Sequence, residues 1–115
     1  MNSKLLKYVS IEMIKASKAF EAENYDQAFN HLERAHILSQ RYTKAHLMTH
    51  WWMLKIGCKR GNIKEVIGQF FRLFAALIFS KVWVPWGNTG GTNVSAFNVM
   101  DIPDDLSKIL AKYGS

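Results

Sequence analysis

The run Asn24-Tyr25-Asp26-Gln27-Ala28-Phe29-Asn30-His31-Leu32-Glu33-Arg34-Ala35-His36-Ile37-Leu38-Ser39-Gln40 decides the fold. Its apolar residues Tyr25, Ala28, Phe29, Leu32, Ala35 and Leu38 recur every three or four positions, which predicts an amphipathic helix over 25–40. Asn24 is placed to cap it. Before it, Leu6, Val9, Met13, Ala16 and Phe20 keep the same spacing and predict a helix over 4–22. After it, the polar turn Arg41-Tyr42-Thr43 leads to a third helix over 44–57, with Thr43 as its N-cap, apolar positions at Leu47, Trp51, Leu54 and Cys58, and Gly57 and Gly61 weakening its end. Asn62 repeats the role of Asn24 and opens a fourth helix over 62–80. Val66, Ile67, Phe70, Phe71, Phe74, Leu77 and Ile78 surround that helix almost completely, so it is expected to be the most buried.

A shift of 38 residues lays Asn24, Tyr25, Ala28, Phe29, Leu32 and Ala35 over Asn62, Ile63, Val66, Ile67, Phe70 and Leu73, a weak internal repeat. Small Ala16, Ala19, Ala28 and Ala35 let paired helices approach closely, and the first copy resembles the tetratricopeptide pattern. Val66 in the second copy departs from it, and Gln40 stands where that motif usually has proline. Periodicity vanishes from 81 to 102. Trp83, Trp86 and the stretch Gly87 to Asn93 there read as an ordered glycine-rich loop that wraps back over the helices. Pro103, Asp104 and Asp105 then open a short helix over 103–112 through Leu106, Ile109 and Leu110. The expected fold is all-α: two tetratricopeptide-like hairpins closed into a four-helix, bundle-like domain spanning 1–115, with the loop and a C-terminal helix added. Two hairpins are too few for an open solenoid.

Hydrophobic residues make up 49% of the 115 and charged residues 21%, ordinary globular proportions. The longest apolar stretch, Val66 to Phe79, contains Gln69 and Arg72 and is too short and polar to span a bilayer. Lys4 and Lys7 lead into no apolar signal core, because Glu12, Lys15 and Lys18 interrupt it. Cys58, the lone cysteine, can form no internal disulfide and is expected to be a reduced, partly buried thiol. A soluble, cytoplasmic protein is the expectation. The net charge of +6 is concentrated between Arg34 and Lys81, where Glu65 is the sole acidic residue. Its cations (Arg41, Lys44, Lys55, Lys59, Arg60, Lys64) are scattered, so a solvated face is expected rather than a nucleic-acid footprint.

All four histidines fall between His31 and His50. His46 and His50 lie one helical turn apart and can chelate one ion from the same face. Glu33 and His36 form the Glu-x-x-His arrangement used by carboxylate-metal bundles. If the second and third helices run antiparallel about Tyr42 and Thr43, the ligands Glu33, His36, His46 and His50 converge. Gln40, on the Glu33 and His36 stripe, can orient a ligand or hold a water, whereas His31 points to another side of the helix. Three imidazoles and a carboxylate suit zinc, iron(II), manganese or nickel better than copper(I), and no organic cofactor is indicated. The competing account makes His36 and His50 interhelical hydrogen-bonding residues and pairs Glu33 with Arg34, Arg41 or a neighbouring lysine. No separate nucleophile constellation is present: Ser95 lacks a nucleophile-elbow context and Cys58 lies two turns from His50. The Gly87 to Asn93 stretch lacks the lysine and following helix of a phosphate-binding loop, so packing and turn formation are its expected role.

The Leu32-Glu33-Arg34-Ala35-His36-Ile37-Leu38 run, the His46 and His50 pair, Gly68-Gln69, Pro85, Gly87-Asn88-Thr89-Gly90-Gly91 and Asn93-Val94-Ser95 together resemble a bacterial family catalogued as domain of unknown function 3703. That resemblance implies a small bacterial protein in which Glu33, His36, His46, His50 and the loop form a characteristic set. It implies no established activity, and Trp86 departs from the pattern. The leading expectation is therefore a divalent-metal-binding helical protein. A tetratricopeptide-like module that binds a protein partner through its groove is the alternative, and an RNA- or anion-binding protein using the basic middle stretch is a third reading.

Overall fold

Three asparagines open three of the helices. Asn2 Oδ1 accepts hydrogen bonds from the backbone N–H groups of Lys4 and Leu5 and starts α1 (Ser3–Glu21). Asn24 Oδ1 accepts from Gln27 N–H at the head of α2 (Tyr25–Ser39). Asn62 Oδ1 accepts from Glu65 N–H before α4 (Ile63–Phe79). In each case a side-chain oxygen satisfies donors that have no partner within the helix. The equivalence of Asn24 and Asn62 across the internal repeat is thus structural as well as sequential.

A computed structural model describes residues 1–79, 85–92, 94, 95 and 98–114 of the chain. Among these residues there are five α-helices and no strand. α3 spans Thr43–Arg60, and α5 spans Asp104–Tyr113 behind Pro103, with Asp104 and Asp105 in its first turn. The bundle-like packing of hairpins is as expected: α1 packs on α2, α3 on α4, and α2 joins the two pairs by packing on α3. Lys81, Trp83 and Asn93, which the sequence placed in the loop, lie outside the described residues.

Four details differ from the sequence reading. Thr43 is the first residue of α3 rather than its cap; Tyr42 holds the cap position and makes no side-chain cap bond. α3 also runs past Gly57 to Arg60, and Gly61 ends it in the left-handed conformation (φ 65°), where its N–H reaches back to the carbonyls of Gly57 and Cys58. Cys58 is exposed, not partly buried. Most consequentially, α4 is not the most buried helix. Only Glu65, Gln69 and Ala76 of α4 are buried, while Ile63, Ile67, Phe70, Phe71, Phe74, Leu77, Ile78 and Phe79 are exposed. An apolar circumference needs partners on every side, and among the described helices α4 packs closely on α3 alone.

The apolar core has two parts. Leu5, Val9, Ala35, Ile37, Leu38 and Leu106 join α1, α2 and α5 at one end. Ala16, Ala19, Ala28, Leu32, Met53 and Ile56 join α1, α2 and α3 at the other, where the small alanines bring the backbones close. Phe20 and Trp52 close that end edge to face, while neighbouring Trp51 points outward, as adjacent positions on one helix require. The third buried region is polar: His36, Ser39, Gln40, His46, Thr49, His50, Glu65, Gln69 and Asn88. Burying so many polar groups is costly unless they are paired, and their partners define the site.

Candidate metal centre

The antiparallel hairpin of α2 and α3 sets His36 opposite the adjacent turns that carry His46 and His50. Their three Nε2 atoms form a near-equilateral triangle: His36 to His46 2.9 Å, His36 to His50 3.1 Å and His46 to His50 3.1 Å. All three residues are buried, and each offers one ring nitrogen to a common point.

The partners of the outer nitrogens fix two tautomers. His36 Nδ1 lies 2.8 Å from the Asn88 carbonyl, which can only accept, so Nδ1 carries the proton. His50 Nδ1 lies 2.6 Å from Gln69 Oε1. The Gln69 amide cannot be turned round, because its Nε2 donates to the Gly90 carbonyl at 2.8 Å. His50 Nδ1 therefore also carries its proton. Consequently the Nε2 atoms of His36 and His50 present bare lone pairs to each other at 3.1 Å. Something positive must lie between them: a proton on His46 Nε2 shared by both, or a cation. His46 Nδ1 is buried with no well-aligned partner among the described residues, although the Gln40 backbone carbonyl acts on this ring and favours its charged form.

Burial keeps all three rings neutral. His36 is driven well below the usual histidine value by desolvation and then by His50 and His46. His46 is pushed down to about 3 by desolvation and His50. His50 falls to about 4, chiefly through desolvation, with its hydrogen bond to Gln69 opposing and Arg72 assisting. Neutral imidazole is the form that ligates metals.

The loop after α4 forms the other wall. Gln40, at the end of α2, clamps it at both ends of its amide: Nε2 donates to the Pro85 carbonyl at 3.0 Å and Oε1 accepts from Gly87 N–H at 2.9 Å. Asn88 Nδ2 donates to the carbonyls of Ser95 and Asn98, both at 2.8 Å, and its Oδ1 accepts from Gly90 N–H. Arg72 donates to the carbonyls of Gly90, Gly91 and Val94, and Glu65 accepts from the backbone and hydroxyl of Thr92. Gly90 adopts φ +90° against His36, and a Cβ there would lie 2.7 Å from the ring. Arg41 stacks on Trp86 at the outer edge, 4.6 Å from the ring centroid.

Of the four ligands the sequence proposed, the structure brings His36, His46 and His50 together and leaves Glu33 outside the cluster. The Glu33 carboxylate takes a hydrogen bond from Thr89. Burial, with a smaller contribution from Glu65, raises its pKa despite that bond. The Gln40 side chain holds the loop, while its backbone carbonyl acts on the His46 ring. His31 belongs elsewhere, in a network where Glu12 accepts from His31 Nδ1 at 2.8 Å and from Arg34, and Arg34 also pairs with Asp105. Sequence reasoning gave Gln69, Glu65 and Arg72 no role in the site, and it included Asn88 only as part of the loop that the family resemblance attached to the histidines. The signal for two of them was a glutamine and an arginine inside an otherwise apolar helix; nothing local marks Asn88.

Fold and site together define a small all-helical protein with a buried three-histidine cluster roofed by a glycine-rich loop. The chain belongs to the family described as proteins of unknown function, DUF3703, whose family model matches residues 3–110. No curated protein and no solved structure matches it. No helix of the described residues is long and apolar enough to cross a membrane.

Proposed function

We propose that this protein binds one divalent transition metal through the Nε2 atoms of His36, His46 and His50. The observation that carries the reading is the convergence of two bare Nε2 lone pairs, on His36 and His50, with the third ring at the same distance. The outer contacts match what metal-ligating histidines need. A carbonyl and an amide oxygen hold the opposite ring nitrogen, fixing the tautomer and the ring orientation. Three nitrogen ligands leave coordination positions for water or a substrate, as catalytic centres do and closed structural centres do not.

The triangle also bears on the metal. Bonds of about 2.0–2.1 Å at tetrahedral angles require nitrogens roughly 3.3 Å apart, whereas the right-angled face of an octahedron requires roughly 2.9 Å. One edge, 2.9 Å, matches the second value, and the two of 3.1 Å fall midway between them. Within the set of zinc, iron(II), manganese and nickel, this spacing accommodates four-coordinate and six-coordinate ions alike. Glu33 stands outside the ligand set in this reading, as a carboxylate held by Thr89.

Elemental analysis of the purified, untagged protein beside a His46→Ala/His50→Ala variant tests the proposal. Near-stoichiometric metal that the variant loses is the expected result. A wild-type protein that takes up none of these four ions on incubation would leave the triangle held by the His46 proton alone and end the reading. The alternative, a tetratricopeptide-like module that binds a protein partner through its groove, gives the histidines a structural role and predicts no metal uptake.

A further inference from the structure

We infer that the outer face of α4 is a self-association surface that joins two copies of this chain. Ile63, Ile67, Phe70, Phe74 and Leu77 follow one another at intervals of four, three, four and three, the spacing of a coiled-coil seam, and Phe71 widens it. The exposed apolar side chains of α4 retain 50 to 73% of their accessible surface. At about 200 Å² for a fully exposed side chain of this size, the five seam residues and Phe71 come to roughly 770 Å². The largest apolar patch of an ordinary monomer is about 300–600 Å². Covering this face on two copies would remove roughly 1,500 Å², inside the range of a stable, specific interface.

Charge selects the occupant. A helix that lies on a membrane carries lysines and arginines along the edges of its apolar face. α4 has two cations, Lys64 and Arg72, and Arg72 is turned inward to the loop carbonyls of Gly90, Gly91 and Val94. The face itself is uncharged, so two chains of net charge +6 can meet on it without opposing like charges. A second copy is complementary by construction: in a two-fold arrangement the same patch serves both sides. Phe70, midway between Ile63 and Leu77, falls at the centre of the seam and meets its counterpart across the axis. The inference is independent of the metal reading, because the inner side of α4 carries Gln69 and the outer side carries the seam.

Sedimentation equilibrium of the full chain tests it. The wild-type protein should show twice the mass of the 13.2 kDa chain at about 10 µM, since interfaces of this size hold with micromolar affinity or better. Phe70→Asp/Phe74→Asp should sediment as a monomer with unchanged helical circular dichroism. In a Cys58→Ser background, Phe70→Cys should join copies through a short bismaleimide while Lys4→Cys on α1 should not, and this second measurement needs no charge on the helix. A wild-type monomer at about 100 µM, a dimer indifferent to the double substitution, equal cross-linking at positions 70 and 4, or binding to anionic phospholipid vesicles in place of dimerisation would each overturn the inference.

Discussion

His50 Nδ1 donates to Gln69 Oε1 at 2.6 Å, and the far end of the same amide donates to the carbonyl of Gly90 at 2.8 Å. One glutamine thus couples a ring of the histidine triangle on α3 to the loop that covers it, from the buried side of α4. Its place in an apolar helix follows: an apolar residue at position 69 would leave the ring N–H without an acceptor and the Gly90 carbonyl held by Arg72 alone.

Gln69→Leu should therefore weaken metal binding without removing a ligand. His50 Nδ1 would be left buried without an acceptor and the ring would lose its fixed tautomer, so affinity should fall about 10–100-fold, the usual effect of deleting such a partner. The folded state should also lose about 1–3 kcal/mol for the unpaired group. Competition against a chromogenic chelator gives the first quantity and urea unfolding the second. Unchanged affinity would show that the His50 to Gln69 bond has no part in ligation.

The metal-free protein should lose stability as the pH falls from 7 toward 5. In the folded chain the protonation of His46 and His50 is pushed down to about 3 and about 4, and that of His36 is also well below normal, chiefly by burial. In the unfolded chain each titrates near 6.5. The unfolded state thus binds more protons below that value, so the stability is fully present above about pH 6.5 and drains away as pH falls through the unfolded value toward the folded ones. Each histidine contributes a slope of up to about 1.4 kcal/mol per pH unit. Urea midpoints at pH 7.5, 6.0 and 5.0 should trace this loss, and His46→Gln should flatten the slope by one proton. Equal slopes in the two proteins would mean that His46 is already charged when folded.

Gly90→Ala and Gly61→Ala should part company. Both glycines have positive φ, 90° and 65°, but a Cβ on Gly61 meets nothing within 4 Å whereas one on Gly90 strikes the His36 ring. Gly61→Ala should cost the conformational penalty alone, about 1–2 kcal/mol. Gly90→Ala should cost that and also displace the loop or the ring, with a matching fall in metal affinity. Thermal melts and the chelator competition on both variants check this, and similar costs with intact affinity would show that the loop does not press on His36.

What the sequence revealed and what it hid separate by range. Spacing within one helix was legible: the four long helices, the Asn24 and Asn62 caps, and His46 above His50 all follow from local patterns. His36 was legible with one further assumption, an antiparallel turn at Tyr42 and Thr43. Glu33 shares the stripe of His36, but a residue of the distant loop, Thr89, binds it, and no local pattern announces that. The role of Asn88 escaped for the same reason, since its contribution to His36 is a backbone carbonyl that any residue would carry. The burial of α4 was misread because an apolar circumference records the demand for partners without stating whether this chain supplies them.

Metal should raise the melting temperature of the wild-type protein, and the choice of variants assigns the ligands. An ion that binds only the folded chain stabilises it by about 2.7 kcal/mol at one hundred times its dissociation constant, which for a chain of this size corresponds to a shift of roughly 10 °C. Glu33→Gln should keep that shift, because the amide oxygen can still accept from Thr89 and the three Nε2 atoms are untouched. His36→Gln and His46→Gln should each lose most of it. If Glu33→Gln abolishes the shift while its metal-free melt stays normal, the carboxylate leaves Thr89 to become a ligand, and the site has the four members the sequence proposed. If the histidine variants keep the shift, the ion binds elsewhere on the chain and the triangle is a hydrogen-bonded core that joins α2 to α3.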